Sequence, residues 1–173
     1  MLNFIKAEKG TNEMIEALNK ASTIIDLYPE IFPHLYKQSF KLEKYIEKGG
    51  LILQDGVLVT FGRYGSNGKM SRNATTYKKK GDYILHQIAN IDQHNGNAKK
   101  ILNEFIEYCK SQHAENLFLT VRKYNDKAVN FYYRNGFVKD SDINWTSKKD
   151  GVIPGIVFRL RLVADKNIET VCS

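Results

Sequence analysis

The sequence predicts a single-domain α/β protein built on a mixed sheet. Three observations lead there. The chain has 173 residues, of which 42% are hydrophobic and 12% aromatic, enough for one domain with a full core. Period-2 and period-3.6 apolar patterns alternate along it in the order β-α-α-β-β-β-α-β-α-β-β. A strand, helix, strand unit over Tyr83–Val121 has a connection long enough for a right-handed parallel crossover. The domain is expected over residues 2–163, with 164–173 as a tail.

The elements follow in order. Leu2–Ala7 alternates weakly and reads as a short strand. Thr11 then suits an N-cap, and Met14, Ile15, Leu18 and Ala21 recur at helical spacing. Pro29 and Pro33 impose a bend. A second helix fits Leu35–Lys48, with Leu35, Leu42, Tyr45 and Ile46 turned inward, and Gly49-Gly50 ends it. "LILQDGVLVTFGRY" is a hairpin about Asp55-Gly56. A glycine- and lysine-rich connection follows and can itself be an extended hairpin. Tyr83–Ile91 reads as a central strand, apolar on both faces. Ile101, Leu102, Phe105, Ile106 and Cys109 form one apolar helical stripe. Asn116–Val121 is a buried strand. "NDKAVNFYYRNGF" is a short helix stopped at Asn135-Gly136. Gly155–Leu162 is a late strand.

Composition bounds the function. No apolar run approaches the roughly 20 residues of a membrane span, and charges come too early at the N-terminus for a signal peptide; a cytoplasmic protein with no membrane partner is the default. Cys109 and Cys172, and His34, His86, His94 and His113, lack metal-ligand or redox spacing. No metal is expected, and Cys109 reads as a small core residue. The net charge of +7 is compatible with an anionic partner but does not choose among nucleotide, nucleic acid and acidic substrate.

"IDQHNGNAKK" (Ile91–Lys100) joins a strand to a helix. Amides at a helix N-terminus bind anions. Gly96 permits close backbone approach, Ala98 is small where the helix begins, and Lys99 and Lys100 add positive charge. The stretch is either a polar surface loop or a cradle for a phosphate group.

Read with its neighbours, the junction resembles the GNAT acyltransferase superfamily. "QHNGNA" fits the Q/R-x-x-G-x-G/A loop of that family through Gln93, Gly96 and Ala98. "NDKAVNFYYRNGF" is similar to its later helix through Asn125, Ala128, Val129, Phe131, Tyr132, Gly136 and Phe137. "LHQIAN" is similar to its central strand. The resemblance spans roughly residues 2–163. It implies a GNAT-like fold whose β-α-β core binds acetyl-CoA as co-substrate, and an N-acetyltransferase activity. Loop and helix-start groups of Gln93, His94, Asn95, Gly96, Asn97, Ala98 and Lys99 would hold the pyrophosphate. Ile88, Ala89 and Asn90 would pair with the pantetheine arm, and Asn125 would contact the cofactor. Tyr132 would protonate the departing thiolate, unless it is simply a core aromatic.

This chain departs from the family pattern twice. Only Ile91 and Asp92 separate the strand from Gln93, fewer residues than usual. Ile84 stands where the family often has a glutamate base. His86 lies two residues on and is the nearest replacement; it is either a base or a core or cleft-wall histidine holding a hydrogen bond. Asp82 and Asp92 are weaker candidates, and solvent can also take the proton.

On the acceptor side, a small-molecule or protein amine is expected. Gly56–Gly81 has no acidic residue but carries Arg63, Lys69, Arg72, Lys78, Lys79 and Lys80, with Tyr64 and Tyr77 between them. Residues 63–80 therefore read either as a solvated connection or as a nucleic-acid surface. "SDINWTSKKDGVIPG" suits the other lip of the cleft, where Trp145 either packs on substrate or closes a hairpin. An enzyme acting on a nucleic acid, a non-catalytic binding module, and a homodimer all stay open at this point.

Overall fold

The computed structural model of the protein describes residues 1–27, 39–92, 94–148 and 150–163. The elements are β1 (Phe4–Ile5), α1 (Asn12–Ile25), α2 (Ser39–Lys48), β2 (Leu51–Gln54), β3 (Val57–Arg63), β4 (Gly68–Lys69), β5 (Tyr77–Lys78), β6 (Tyr83–Asn90), α3 (Asn97–Ser111), β7 (Asn116–Arg122), α4 (Asp126–Arg134), β8 (Val138–Ser147) and β9 (Gly151–Arg161). This is the α/β order read from the sequence, with β4 and β5 added inside the basic connection. Seven strands form one sheet in the order β1-β2-β3-β6-β7-β9-β8, and β4 pairs with β5 separately. The chain forms two compact units, Met1–Gly62 with Leu85–Phe105, and Arg63–Ile84 with the chain from Ile106 onward.

In the first unit, Thr11 starts α1 as the sequence predicts. Its backbone is extended and its Oγ1 accepts the amide of Met14 at 3.2 Å. The buried stripe of α1 is Met14, Ala17, Ala21, Ile24 and Ile25. Met14 and Ala21 are buried as their spacing suggests, but Ile15, read on the same stripe, is 53% exposed. Leu42 and Ile46 of α2, Leu51, Leu58 and Ala89 complete this core, with Tyr45 packed at its edge. Leu35 lies outside the described residues. The β2–β3 turn has positive φ at both Asp55 (52°) and Gly56 (75°), the two-residue geometry that an Asp-Gly pair favours. Gln54 accordingly pairs with Val57.

Three helices end in the same way. After α2, the amide of Gly50 reaches the carbonyl of Tyr45 (2.7 Å) and that of Gly49 reaches Ile46 (3.1 Å). After α4, Phe137 and Gly136 bond back to Tyr132 (3.1 Å) and Tyr133 (3.2 Å). After α3, Ala114 and His113 bond back to Cys109 (3.2 Å) and Lys110 (3.0 Å). Each closure is a Schellman motif and needs its middle residue left-handed. Gly49 and Gly136 fill that role, but in α3 it falls to His113 at φ 63°. His113→Gly is therefore expected to stabilise the protein by about 1 kcal/mol, read as a rise in urea midpoint.

In the second unit, β9 pairs antiparallel with β7 and with β8. The β8–β9 hairpin is longer than the late strand read from the sequence: β9 begins at Gly151 and includes Pro154. A β-bulge lies between Lys139 and Ser141. Asp140, at that bulge, is buried and accepts from the hydroxyl (2.8 Å) and amide (3.3 Å) of Thr75. Ser71 and Ser141 share a hydroxyl bond of 3.1 Å. The basic connection is thus pinned to β8. Trp145 lies against Gly155, where any Cβ would collide with its ring.

Arg63 is held within the second unit. It donates to the carbonyls of Gly81 (3.1 Å) and Gln112 (2.9 Å) and lies 5.0 Å over the Tyr83 ring. Burial, then the nearby Asp82 charge, pushes the Tyr64 phenol up to about 12. Its folded value exceeds the ordinary 10.0, so its contribution to stability is complete below about pH 10 and is lost as pH rises toward about 12. A loss of stability through that window, smaller in Tyr64→Phe, is the expected result of alkaline denaturation.

Candidate functional site

The loop and the helix start belong wholly to the first unit. Strand β6 ends with Ile88 half-buried and Ala89 and Asn90 buried. Ile91 then turns out to solvent, while its amide donates to the carbonyl of Gly56 at 2.9 Å. Asp92 and Asn95 shape the turn through their side chains: Asp92 accepts from the His94 amide (2.9 Å), and Asn95 accepts from the Asn97 amide (3.0 Å). Gly96 has φ 74°, and a Cβ there would meet no atom within 4 Å. The glycine is therefore required by backbone conformation rather than by crowding from the protein. Its carbonyl accepts from Lys100 (3.2 Å) and opens α3. Gln93 lies outside the described residues.

A helix start leaves its first amides without intrahelical partners. Among the described residues, Asn95 consumes the Asn97 amide, and no acceptor takes those of Gly96, Ala98 and Lys99. Lys99 is exposed, and Lys100 is paired with Asp55 at 3.3 Å. The stretch offers backbone donors and one uncommitted cation to an anion.

The second unit holds Asn125 and Tyr132. Asn125 caps α4, its Oδ1 accepting the Ala128 amide at 3.3 Å; only its Nδ2 is left to donate elsewhere. Tyr132 is 8% exposed, among the rings of Phe131, Phe137 and Phe158 at 5.4–6.2 Å between centroids. Its contact with Phe137 is the apolar clasp that accompanies the Schellman closure of α4. Among the described residues no group bonds to its hydroxyl. A buried hydroxyl left without a partner costs about 1–3 kcal/mol. Burial holds the phenol above its ordinary range, which keeps it a neutral donor.

The proposed bases sort clearly. His86 is exposed on β6, with its ring 5.3 Å from that of Tyr45 in the same unit. It is not a core residue. Asp92 is exposed. Asp82 is 1% exposed, and its oxygens accept from the amides of Lys79 (2.7 Å), Glu115 (3.0 Å) and Asn116 (2.9 Å) and from Asn116 Nδ2 (3.1 Å). That carboxylate ties its own turn, Lys79–Asp82, to Glu115 and Asn116 and has no place as a base. Cys109 is fully buried, with its thiol pushed up to about 12 by burial; it is the core residue the sequence suggests. Cys172 lies outside the described residues, as does the tail. Among the described residues no His/Cys/Asp/Glu group could hold a metal, and no helix is long and apolar enough to cross a membrane.

In the basic segment, Lys78 lies 4.0 Å over Tyr64 and Lys69 lies 5.5 Å over Tyr77. With Arg63 bound to carbonyls, three of the six cations are engaged within the fold. Arg72, Lys79 and Lys80 are exposed.

Sequence reasoning missed the Asn90–Asn95–Asn97–Asp55 contacts. Asparagines flanking a glycine are the usual signal for side-chain-to-backbone turns, but the partner at Asp55 is 42 residues away.

No curated protein matches the chain. Solved structures do. The ribosomal-protein-S18-alanine N-acetyltransferase from Escherichia coli is 18% identical, with 96% of this chain and 98% of that one covered, at a TM-score of 0.62. Naa20 from Chaetomium thermophilum, solved with a bisubstrate analogue, is 14% identical over 85% and 83%, at 0.65. The yncA protein from Salmonella typhimurium, solved with its cofactor acetyl-CoA, is 11% identical over 95% and 96%, at 0.63. At these identities the likeness is one of fold. The model of the acetyltransferase (GNAT) family matches residues 15–137, and with most of the chain inside that match, the protein belongs to the GNAT acetyltransferase family.

Proposed function

We propose that the protein transfers the acetyl group of acetyl-CoA to a primary amine while both substrates are bound. The observation that carries this reading is the buried Tyr132 hydroxyl with no bonding partner among the described residues. A GNAT acetyltransferase has to protonate a departing thiolate, and a neutral phenol can supply that proton. The open amides of Gly96, Ala98 and Lys99, with Lys99 itself and the adjoining Gln93 and His94, form the pyrophosphate cradle, which Asn95 and Asn97 shape. Ile88, Ala89 and Asn90 lie along the pantetheine arm, and Asn125 Nδ2 adds a contact.

The amine nitrogen attacks the thioester carbonyl carbon. The new C–N bond forms, and the C–S bond breaks. A β6 amide near Ile88–Asn90 donates to the carbonyl oxygen as negative charge develops. Tyr132 gives its proton to the departing sulfur and recovers one from solvent. His86, exposed on β6, takes the proton released by the amine, directly or through water.

Isothermal calorimetry with acetyl-CoA tests the cofactor reading: saturable binding is expected, and no heat at millimolar cofactor would sink it. Initial-rate lines that intersect as both substrates vary support a ternary complex; parallel lines would reject it. A panel of peptide α-amines, lysine side chains, polyamines and nucleobases then identifies the acceptor.

A further inference from the structure

The approach to the loop is two residues long, and the structure compensates for this with a strut. Asn95 Oδ1 accepts two hydrogen bonds, from Asn90 Nδ2 (2.8 Å) and from the Asn97 amide (3.0 Å). It thereby joins the last residue of β6 to the first of α3. Asn90 is only 6% exposed, so this joint is anchored in the core. Asn90 Oδ1 in turn accepts the Asp92 amide at 3.3 Å. From the other side, Asn97 Nδ2 donates to the main-chain carbonyl of Asp55 (2.9 Å), and Lys100 Nζ pairs with the Asp55 carboxylate (3.3 Å). The Ile91 amide bonds to the Gly56 carbonyl at 2.9 Å. Both ends of the loop are therefore fastened to the tip of the β2–β3 hairpin.

We propose that the Asp55–Gly56 turn, acting through Asn95 and Asn97, presets the loop for its anion and so sets affinity for the cofactor. Asn95 and Asn97 are positioning residues: their side chains are spent within the protein, and their role is to aim the amides of Gly96, Ala98 and Lys99. A loop ordered before binding loses less freedom on binding. The same network subtracts as well as adds. Asn95 removes the Asn97 amide from the cradle, and Asp55 draws off Lys100, so that Lys99 is the nearby lysine left for phosphate.

The inference rests on the cradle proposed above, and its test separates the two. Acetyl-CoA and free CoA are titrated into the full-length protein, Asn95→Ala, Asn97→Ala and Asp55→Asn, alongside steady-state kinetics. Asn95→Ala and Asn97→Ala are expected to raise the Kd and KM for acetyl-CoA roughly tenfold, while kcat at saturation stays within about twofold and KM for the acceptor is unchanged. Asn95→Ser, which keeps a short acceptor, is expected to recover part of the affinity. Asp55→Asn keeps the main-chain carbonyl but frees Lys100, and is expected to bind at least as tightly as the natural protein, with a steeper salt dependence. Wild-type affinity in both alanine variants would overturn the strut, as would kcat falling in parallel with affinity. Failure of the unaltered protein to bind acetyl-CoA would instead overturn the cradle.

Discussion

Tyr132→Phe is expected to lower kcat about a hundredfold, the equivalent of about 2.7 kcal/mol of barrier, with the Kd for acetyl-CoA unchanged. The hydroxyl has no protein partner among the described residues, and the ring is held by Phe137 and Phe158. Phenylalanine preserves those ring contacts and removes only the donor. The variant should also be as stable as the natural protein or more stable by about 1 kcal/mol, because a buried hydroxyl without a partner is destabilising. Lost rate with retained or raised stability is an unusual combination. A core aromatic that merely supports α4 would show unchanged kcat, and that outcome would remove Tyr132 from the mechanism. A general acid used in the rate-limiting step should also show its loss as a larger solvent-independent penalty for poor leaving groups, measurable with thioesters of differing thiol acidity.

Asp82→Ala is expected to cost about 3–5 kcal/mol of stability, the largest effect of any single substitution considered. Four donors converge on this carboxylate, three of them backbone amides. Alanine leaves those donors, two of them buried on Asn116, without an acceptor, and Lys79, Glu115 and Asn116 lose their common tie. Urea denaturation at neutral pH reads the change as a lower midpoint with an unchanged slope. A loss under about 1 kcal/mol would mean that water replaces the carboxylate at little cost. Because Asp82 holds structure rather than moving protons, any fall in activity should track the folded fraction.

The sequence shows some parts of this molecule more clearly than others, for reasons that lie in the residues. The stripe Ile101, Leu102, Phe105, Ile106 and Cys109 is buried throughout, because an amphipathic helix writes its orientation into its spacing. Asp55-Gly56, Thr11 and Gly136 behave as their types predict, since turns and caps are local. Ile15 misleads because two adjacent apolar residues, Met14 and Ile15, both fit the spacing, and the packing partners bury only the first. The β8 strand carries Lys139, Asp140, Asp142 and Asn144; an edge strand needs no apolar alternation to form, so its pattern is faint. Pro154 hides the start of β9 for a similar reason, since prolines usually mark strand limits. At the candidate site, the glycine and the helix start are legible, and so is the burial of Tyr132 beside Phe137. The fastening of the loop to Asp55 is not, because a contact across 42 residues leaves no mark on local spacing.

Trp145 is the only tryptophan in the chain, and its indole lies against the Gly155 backbone inside the β8–β9 hairpin. The protein therefore carries its own optical reporter at a known place. Emission excited at the red edge, where tyrosine does not absorb, follows that hairpin alone, whereas far-ultraviolet dichroism sums over every helix and strand. If the two signals change together on denaturation, the domain melts as one cooperative body; if emission shifts first, the β8–β9 hairpin opens while the α1–α2 core still stands. The same indole gives an unlabelled signal for any acceptor that settles against it.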